Sequence, residues 1–439
     1  MTSAPPGLPA RPRTEPEAVI REARRRQHRR WLVVGMAMAA VVAGVAAAIA
    51  GSAAGGRPRP PGLHAGLTAP AHAIRPAMPP GLVLADAATT VVMWPVGYPL
   101  FTETGGPPAY VADLGSGRLW KRQIPGIVGC DCRPYLIGVD GRLVYVGSGG
   151  ITAISAGLTG RPRVLGSTQF FAPSAAPGQV WLVHYRNGVL GQAPVRVRPV
   201  PVTGGPAGEA VTLPAETGLV IRGTDAGFLL EVRHGRGLGL ALWRPGGMPK
   251  TLPYAPAGAA TAGIDYGFDA TARLVAYGTG CRWHTTAANA PQDANTGYLA
   301  CAMLRVLNVV TGRLVSFAAP PATAGWVPNG FDNTSAISPA GPMIAAYAAV
   351  LPQGEGRVRL YVMRLTGPRN GPMAVPSSVA ILPAGTAWTA KESWLLYQGP
   401  GGHLWAYQAT SGTVRASSTR HYGMVAVPSD PGRPARPPV

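Results

Sequence analysis

Lysine is almost absent from this 439-residue sequence: only Lys121, Lys250 and Lys391 stand among 39 basic residues. Acidic residues are also few, 19 in all, and charged residues make up 13% of the chain, which excludes a disordered chain kept open by its own charge. The resulting net charge of +20 is carried by arginines scattered over the chain, not by a basic helix or a groove studded with aromatics. Genomic base composition accounts for such arginine usage as readily as a polyanion-binding surface does, and nucleic acid is not an expected partner. Uninterrupted helical stretches are missing beyond the first sixty residues. With 59 Gly and 47 Pro the chain consists of short elements joined by turns, so a coiled coil and a helical bundle are excluded.

The one long apolar run lies near the start. Residues 31–54, WLVVGMAMAAVVAGVAAAIAGSAA, carry no charge and come directly after the basic segment REARRRQHRR, Arg21 to Arg30. Twenty-four residues at helical rise span roughly 36 Å, enough for a hydrocarbon core of about 30 Å. The arginine flank predicts a cytoplasmic N-terminus and places the chain beyond residue 54 outside the membrane. Ala48-Ile49-Ala50 is also compatible with signal-peptide cleavage, which gives the same compartment. Residues 1–30 read as a disordered basic tail and 55–81 as a proline-rich linker; 82–428 form the folded domain and 429–439 a second disordered tail.

Within 82–428 one unit recurs seven times. Each copy is an alternating apolar strand ending in a glycine turn, as in AYVADLGSG, LRVLNVVTG, VRLYVMRLTG and HLWAYQATSG. The turn glycines are Gly117, Gly160, Gly205, Gly247, Gly312, Gly367 and Gly412, and four of the six intervals between them lie close to 44 residues. Upstream of most copies runs a second strand ending in an aromatic: VDGRLVYVG, APGQVWLVHY, FDATARLVAYG, SPAGPMIAAY and AKESWLLYQG. Such a period, with several short strands per unit, predicts an all-β, seven-bladed β-propeller preceded by one transmembrane helix. The glycine turns should join the third and outer strands of each blade, and HYGMVAVP, residues 421–428, should pair with the first blade and close the ring.

The pattern S-P-x-G, apolar run, A-Y, then L-Y-V-x-x-L-x-T-G, resembles the WD-repeat-like blades of TolB-type propellers. It is clearest in SAISPAGPMIAAYAA with VRLYVMRLTG. The Asp before the turn glycine in that family stands here as Asp140, is replaced by Ala340 in the sixth unit and is displaced to Asp269 in the fifth. The resemblance implies a fold and transfers no functional residue.

Four cysteines in an exported chain predict disulfides. Cys281 and Cys301 flank a surplus of about twenty residues between antiparallel neighbours and are expected to pair, capping a loop. Cys130 and Cys132 remain, as a tight C-x-C bridge or, less favoured, a metal or redox pair. The histidines at 28, 64, 72, 184, 234, 284, 403 and 421 show no metal-binding spacing, and no G-x-S-x-G elbow is present. No catalytic residue, metal ligand or cofactor is therefore expected. Ser174 and Ser338 read as local caps in blade-start turns. Asp265 and Asp269 form the only close carboxylate pair in the propeller and read as turn caps ahead of a calcium or acid-base site. Trp181, Trp243, Trp394, Trp405, Tyr145, Tyr277, Tyr347 and Tyr397 read as packing between blades.

The expectation is a membrane-anchored extracytoplasmic propeller that binds a protein or cell-envelope component through its loops, residues 281–301 first among them. The alternative is a lyase or glycoside hydrolase working in the axial funnel, which needs acids converging from several blades.

Overall fold

The computed structural model describes residues 83–84, 89–94, 108–127, 136–168, 170–234, 237–252, 267–285, 297–328, 336–339, 341–351, 357–367, 371–379, 385–389, 394–420 and 423–428. The expected tail, membrane helix, linker and C-terminal tail, together with Cys130, Cys132 and Asp265, lie outside these residues. Among the described residues no helix is long and apolar enough to cross a membrane.

The described chain is built of strands. Sheet A holds β1 (Thr89–Trp94), β2 (Pro108–Asp113) and β3 (Arg118–Gln123). Sheet B holds β4 (Leu136–Val139), β5 (Arg142–Gly147), β6 (Gly150–Ser155) and β7 (Arg163–Gly166). Sheet C holds β8 (Phe170–Pro173), β9 (Gln179–His184), β10 (Arg196–Pro201) and β11 (Val211–Thr212). Sheet D holds β12 (Thr217–Thr224), β13 (Gly227–His234), β14 (Gly237–Trp243) and β15 (Lys250–Thr251). Sheet E has eight strands in two halves. The first comprises β16 (Gly267–Ala270), β17 (Leu274–Thr285), β18 (Gly297–Asn308) and β19 (Leu314–Ala318). The second comprises β20 (Thr323–Val327), β21 (Met343–Val350), β22 (Val358–Arg364) and β23 (Met373–Ala374). The halves are joined where Cys301 pairs with Trp326. Sheet F holds β24 (Thr386–Trp388), β25 (Leu395–Gln398), β26 (His403–Tyr407) and β27 (Val414–Arg420).

The last strand, β28 (Gly423–Pro428), returns to sheet A and pairs antiparallel with β1 from Thr89↔Pro428 to Trp94↔Gly423. The first sheet is therefore completed by the end of the domain, as the apolar run at 421–428 suggested.

Each strand alternates its side chains between two faces, and both faces are apolar, so each sheet must be covered on both sides. The cores show how. Val92, Val111 and Val425 of sheet A meet Leu143, Tyr145 and Ile154 of sheet B. The other face of sheet B, Val144, Ile151 and Ala153, meets Phe171, Val180 and Leu182 of sheet C. Sheet C meets sheet D through Val183, Val197, Phe228 and Leu230. Sheet D meets the first half of sheet E through Ile221, Leu229, Val275 and Tyr277. The two halves of E meet through Ala276, Leu304, Ile344 and Met363, and the second half meets sheet F through Tyr347, Leu360, Trp388 and Tyr397. Sheet F then meets sheet A through Leu396, Leu404, Val91 and Met424. The sheets succeed one another around a closed ring, the arrangement of a β-propeller.

All seven glycine turns of the repeat join a third strand to an outer one, from Gly117 between β2 and β3 to Gly412 between β26 and β27. In three of them the same hydrogen bond closes the turn: the N–H of Gly117, Gly312 and Gly412 donates to the carbonyl of Asp113, Asn308 and Gln408. Gly312 has φ +74° and Gly412 +73°, a left-handed conformation natural to glycine. In the fourth unit this conformation falls on Gly246, one residue before the expected Gly247.

Candidate functional site

The first strands of the sheets line a central cavity of about 530 Å³. Its wall is drawn from every part of the ring: Ala426, Val139, Pro173, Ile221, Asp269, Ile337 and Trp388. The turns after the first strands supply Asp140, the segment Ser174 to Gly178, and Thr271 and Ala272. Among the described lining residues the ionisable groups are Asp140, Arg222 and Asp269.

Asp140 and Gly141, with φ of 41° and 66°, form the tight turn between β4 and β5, where Val139 pairs with Arg142. The Asp140 carboxylate lies against Gly178 of the neighbouring turn, where a Cβ would come within 2.6 Å of Oδ2. Asp269 behaves otherwise than the turn cap read from the sequence. It sits within β16, its Oδ1 accepts from its neighbour Ala270 N–H at 2.7 Å, and its Oδ2 accepts from Ile337 N–H at 2.7 Å across the two halves of sheet E. The position is set by the strand and the partner is set by the ring, which is why local sequence did not reveal it.

Arg222 on β12 donates from Nη1 to the Ala270 carbonyl at 2.6 Å, bringing a cation from sheet D to the same place. Burial pushes the Asp269 carboxyl up to about 7, against the opposing pull of the Ile337 N–H, the Arg222 charge and the remaining backbone donors. Both oxygens are engaged by backbone, so this carboxylate ties β16 to the segment at Ile337, beside the bond from Arg222 of sheet D to the Ala270 carbonyl.

Ser174 and Ser338 act as expected: the Ser174 hydroxyl accepts from Ala176 N–H and that of Ser338 from Met343 N–H, both at 3.1 Å. The aromatic residues also lie where the repeat put them. Tyr145, Tyr277, Tyr347 and Tyr397 are buried between sheets, and Trp181, Trp243, Trp394 and Trp405 likewise pack into cores between sheets.

The second feature is the hairpin β17–β18. Its strands run for 12 residues each, against 4 in β16 and 5 in β19, so it extends beyond its own sheet. Cys281 and Cys301 are opposite each other in the ladder and are disulfide-bonded. The expected pairing is present, but the cysteines stand inside the strands instead of at the mouth of a loop. Pairing continues beyond them through Arg282↔Ala300, Trp283↔Leu299, His284↔Tyr298 and Thr285↔Gly297. The ladder therefore enters the expected loop from both ends, through residues 281–285 and 297–301, where Trp283 and Thr285 on one strand and Tyr298 on the other favour continued pairing; residues 286–296 lie outside the described residues. Trp283 is 56% exposed. On the other face the His284 and Tyr298 rings stack with centroids 5.6 Å apart, and Tyr298 packs onto the core shared with sheet F.

Because β17 leaves the first-to-second-strand turn beside the cavity and runs away from it, the hairpin projects from the opposite end of the ring. Cavity and hairpin are separate surfaces.

No protein-family model matches the chain, and no curated protein matches it in sequence. Solved structures match at the level of fold. TolB from Acinetobacter baumannii is 13% identical, with 79% of this chain and 68% of that chain covered and a TM-score of 0.39. The periplasmic gluconolactonase of Pseudomonas aeruginosa is 14% identical over 78% of this chain and 98% of its own, with a TM-score of 0.40. The Cps50 (Swd1) β-propeller domain of Myceliophteria thermophila is 12% identical over 66% of this chain and 88% of its own, with a TM-score of 0.36.

Proposed function

We propose that this chain is a seven-bladed propeller, with the two halves of sheet E counted as two blades, held outside the cell by the apolar segment 31–54. It acts as a non-enzymatic module that binds an extracytoplasmic protein or envelope component. The observation that carries this reading is the β17–β18 hairpin. This strand pair outruns β16 and β19, is cross-linked by Cys281–Cys301 and presents Trp283 to solvent, while Tyr298 and Leu299 seat it on the cores of the ring. Rigid, exposed aromatic side chains are favoured contact residues because they bury much area at little entropic cost.

The test is photo-cross-linking in intact cells from a benzophenone amino acid placed at position 283, with the same probe at Gln179 by the cavity as comparison. A discrete product from position 283, lost when residues 286–296 are replaced by Asn-Gly, is expected. Products from position 179 alone would overturn the assignment.

The enzymatic reading rests on Asp269, a carboxyl with a pKa near neutrality in a cavity wall. The engagement of both its oxygens by backbone, and the place of Asp140 three sheets away, favour a structural role. Hydrolysis or elimination of a polysaccharide by the full chain, abolished by Asp269→Asn with folding intact, would establish the enzymatic reading instead.

A further inference from the structure

The side of sheet C that faces sheet B is apolar where the two sheets touch, through Val180, Leu182 and Val200. Toward the start of β10 the same face changes character. Arg198 and Arg196 precede Val200 at the two-residue spacing that keeps side chains on one face, and both are exposed. His184 stands opposite Arg196 in the ladder and is also exposed. From sheet B, Arg163 reaches over and donates from Nη1 to the Thr203 carbonyl at 2.9 Å. Arg198 is steadied by a bond from Nε to the Gly208 carbonyl at 3.0 Å.

Three arginines from two sheets thus lie along the boundary between sheets B and C, called the cleft below, and among the described residues none forms an ion pair with an acidic side chain, Glu209 beside Gly208 included. Partial desolvation, and after it the charge of Arg198, hold the His184 imidazole below its usual range. Gathering like charges without counter-charge costs free energy unless an anion relieves it.

We propose that the cleft between sheets B and C binds a strand of phosphodiester-linked, base-free acidic polymer. Guanidinium matches phosphate oxygens in a two-pronged geometry. Arg196 and Arg198 lie about 7 Å apart along the strand, a spacing suited to repeating anions more than to a single one. The exposed apolar side chain on β7 is Val164, 55% exposed, not an aromatic ring on which bases would stack. The inference does not depend on the hairpin, so failure of either leaves the other standing.

The experiment titrates the full chain in detergent micelles against fluorescently labelled poly(glycerol phosphate), read by anisotropy. Binding should weaken steeply with added salt. The double variant Arg196→Gln/Arg198→Gln should bind at least about tenfold more weakly, whereas the charge-matched control Arg359→Gln/Arg364→Gln on β22 should stay within about twofold. Arg196→Gln alone, which removes no side-chain hydrogen bond among the described residues, should weaken binding about threefold with an unchanged melting temperature. Absence of binding, equal loss in cleft and control variants, or equal binding of polyglutamate would overturn the proposal. So would preference for oligo(dT) of the same charge, which would assign the cleft to nucleic acid.

Discussion

The Oδ2 atom of Asp269 accepts the Ile337 N–H at 2.7 Å, joining the first strand of one half of sheet E to the segment that leads into the second strand of the other. Neither residue is near the other in sequence, and the bond exists only because the ring brings the two halves of sheet E side by side.

This bond makes a pH prediction. Burial raises the Asp269 pKa from 3.8 to about 7, so between these values the folded state holds its proton more tightly than the unfolded chain does. The residue's contribution to stability is then greatest below the unfolded value and declines as pH rises to about 7. The span corresponds to at most about 4 kcal/mol, and less because the side chain keeps access to the cavity. Asp269→Asn should remove that slope. Thermal unfolding at pH 5 and pH 8 should give a smaller difference for the variant than for the parent; equal differences would show that Asp269 does not titrate as its surroundings dictate.

Two tyrosines repeat one device. The hydroxyl of Tyr145 donates to the Pro125 carbonyl at 2.7 Å, and that of Tyr397 to the Pro376 carbonyl at 2.8 Å, each reaching the chain that leaves the preceding outer strand. Burial pushes the Tyr145 phenol up to about 12. Tyr145→Phe and Tyr397→Phe should each cost about 1 kcal/mol, and because the sites lie in different inter-sheet cores the double variant should cost about the sum. Denaturant titration measures both points.

Replacing Cys281 and Cys301 together by alanine should lower stability by about 3 kcal/mol at most, given a closed loop of this length. The ladder on both sides of the bridge should survive, so amide exchange should quicken in residues 281–301 while sheets A to D are unchanged. Exchange that quickens throughout the ring would show that the bridge supports more than its hairpin.

Truncation after Arg420 removes β28 and with it the six register pairs to β1. The cores on both sides of sheet A lose Met424, Val425 and Val427 as well. Cooperative unfolding should be lost, with dye binding to the exposed apolar face. A synthetic peptide of residues 421–428 should restore part of it.

Much of the ring was legible in the sequence because its signals are local. Strand alternation, the glycine turns at Gly117, Gly312 and Gly412, and the terminal tyrosines each arise from neighbours in the chain. So does the pairing of Cys281 with Cys301. The extent of the hairpin was not legible, since whether residues 282–285 and 297–300 continue a ladder or open into a loop depends on pairing across the strands. The partner of Asp269 and the placing of Arg163, Arg196 and Arg198 along one boundary were hidden for another reason: the arginines look scattered along the chain, and only the packing of sheets B and C lines them up. One local signal went unread. An apolar residue and then a proline after the outer strand recur as Ile124-Pro125, Leu213-Pro214, Leu252-Pro253 and Val375-Pro376, and two of these prolines receive the tyrosine hydroxyls.

The pairing of β1 with β28 also governs how the molecule comes into being. A ribosome that has made Thr89–Trp94 must go on to Pro428 before that strand, already able to pair with β2, meets its second neighbour. Until then the nascent ring is an open horseshoe with one bare edge, in need of protection from other chains, and a stop codon anywhere upstream leaves it unfinished.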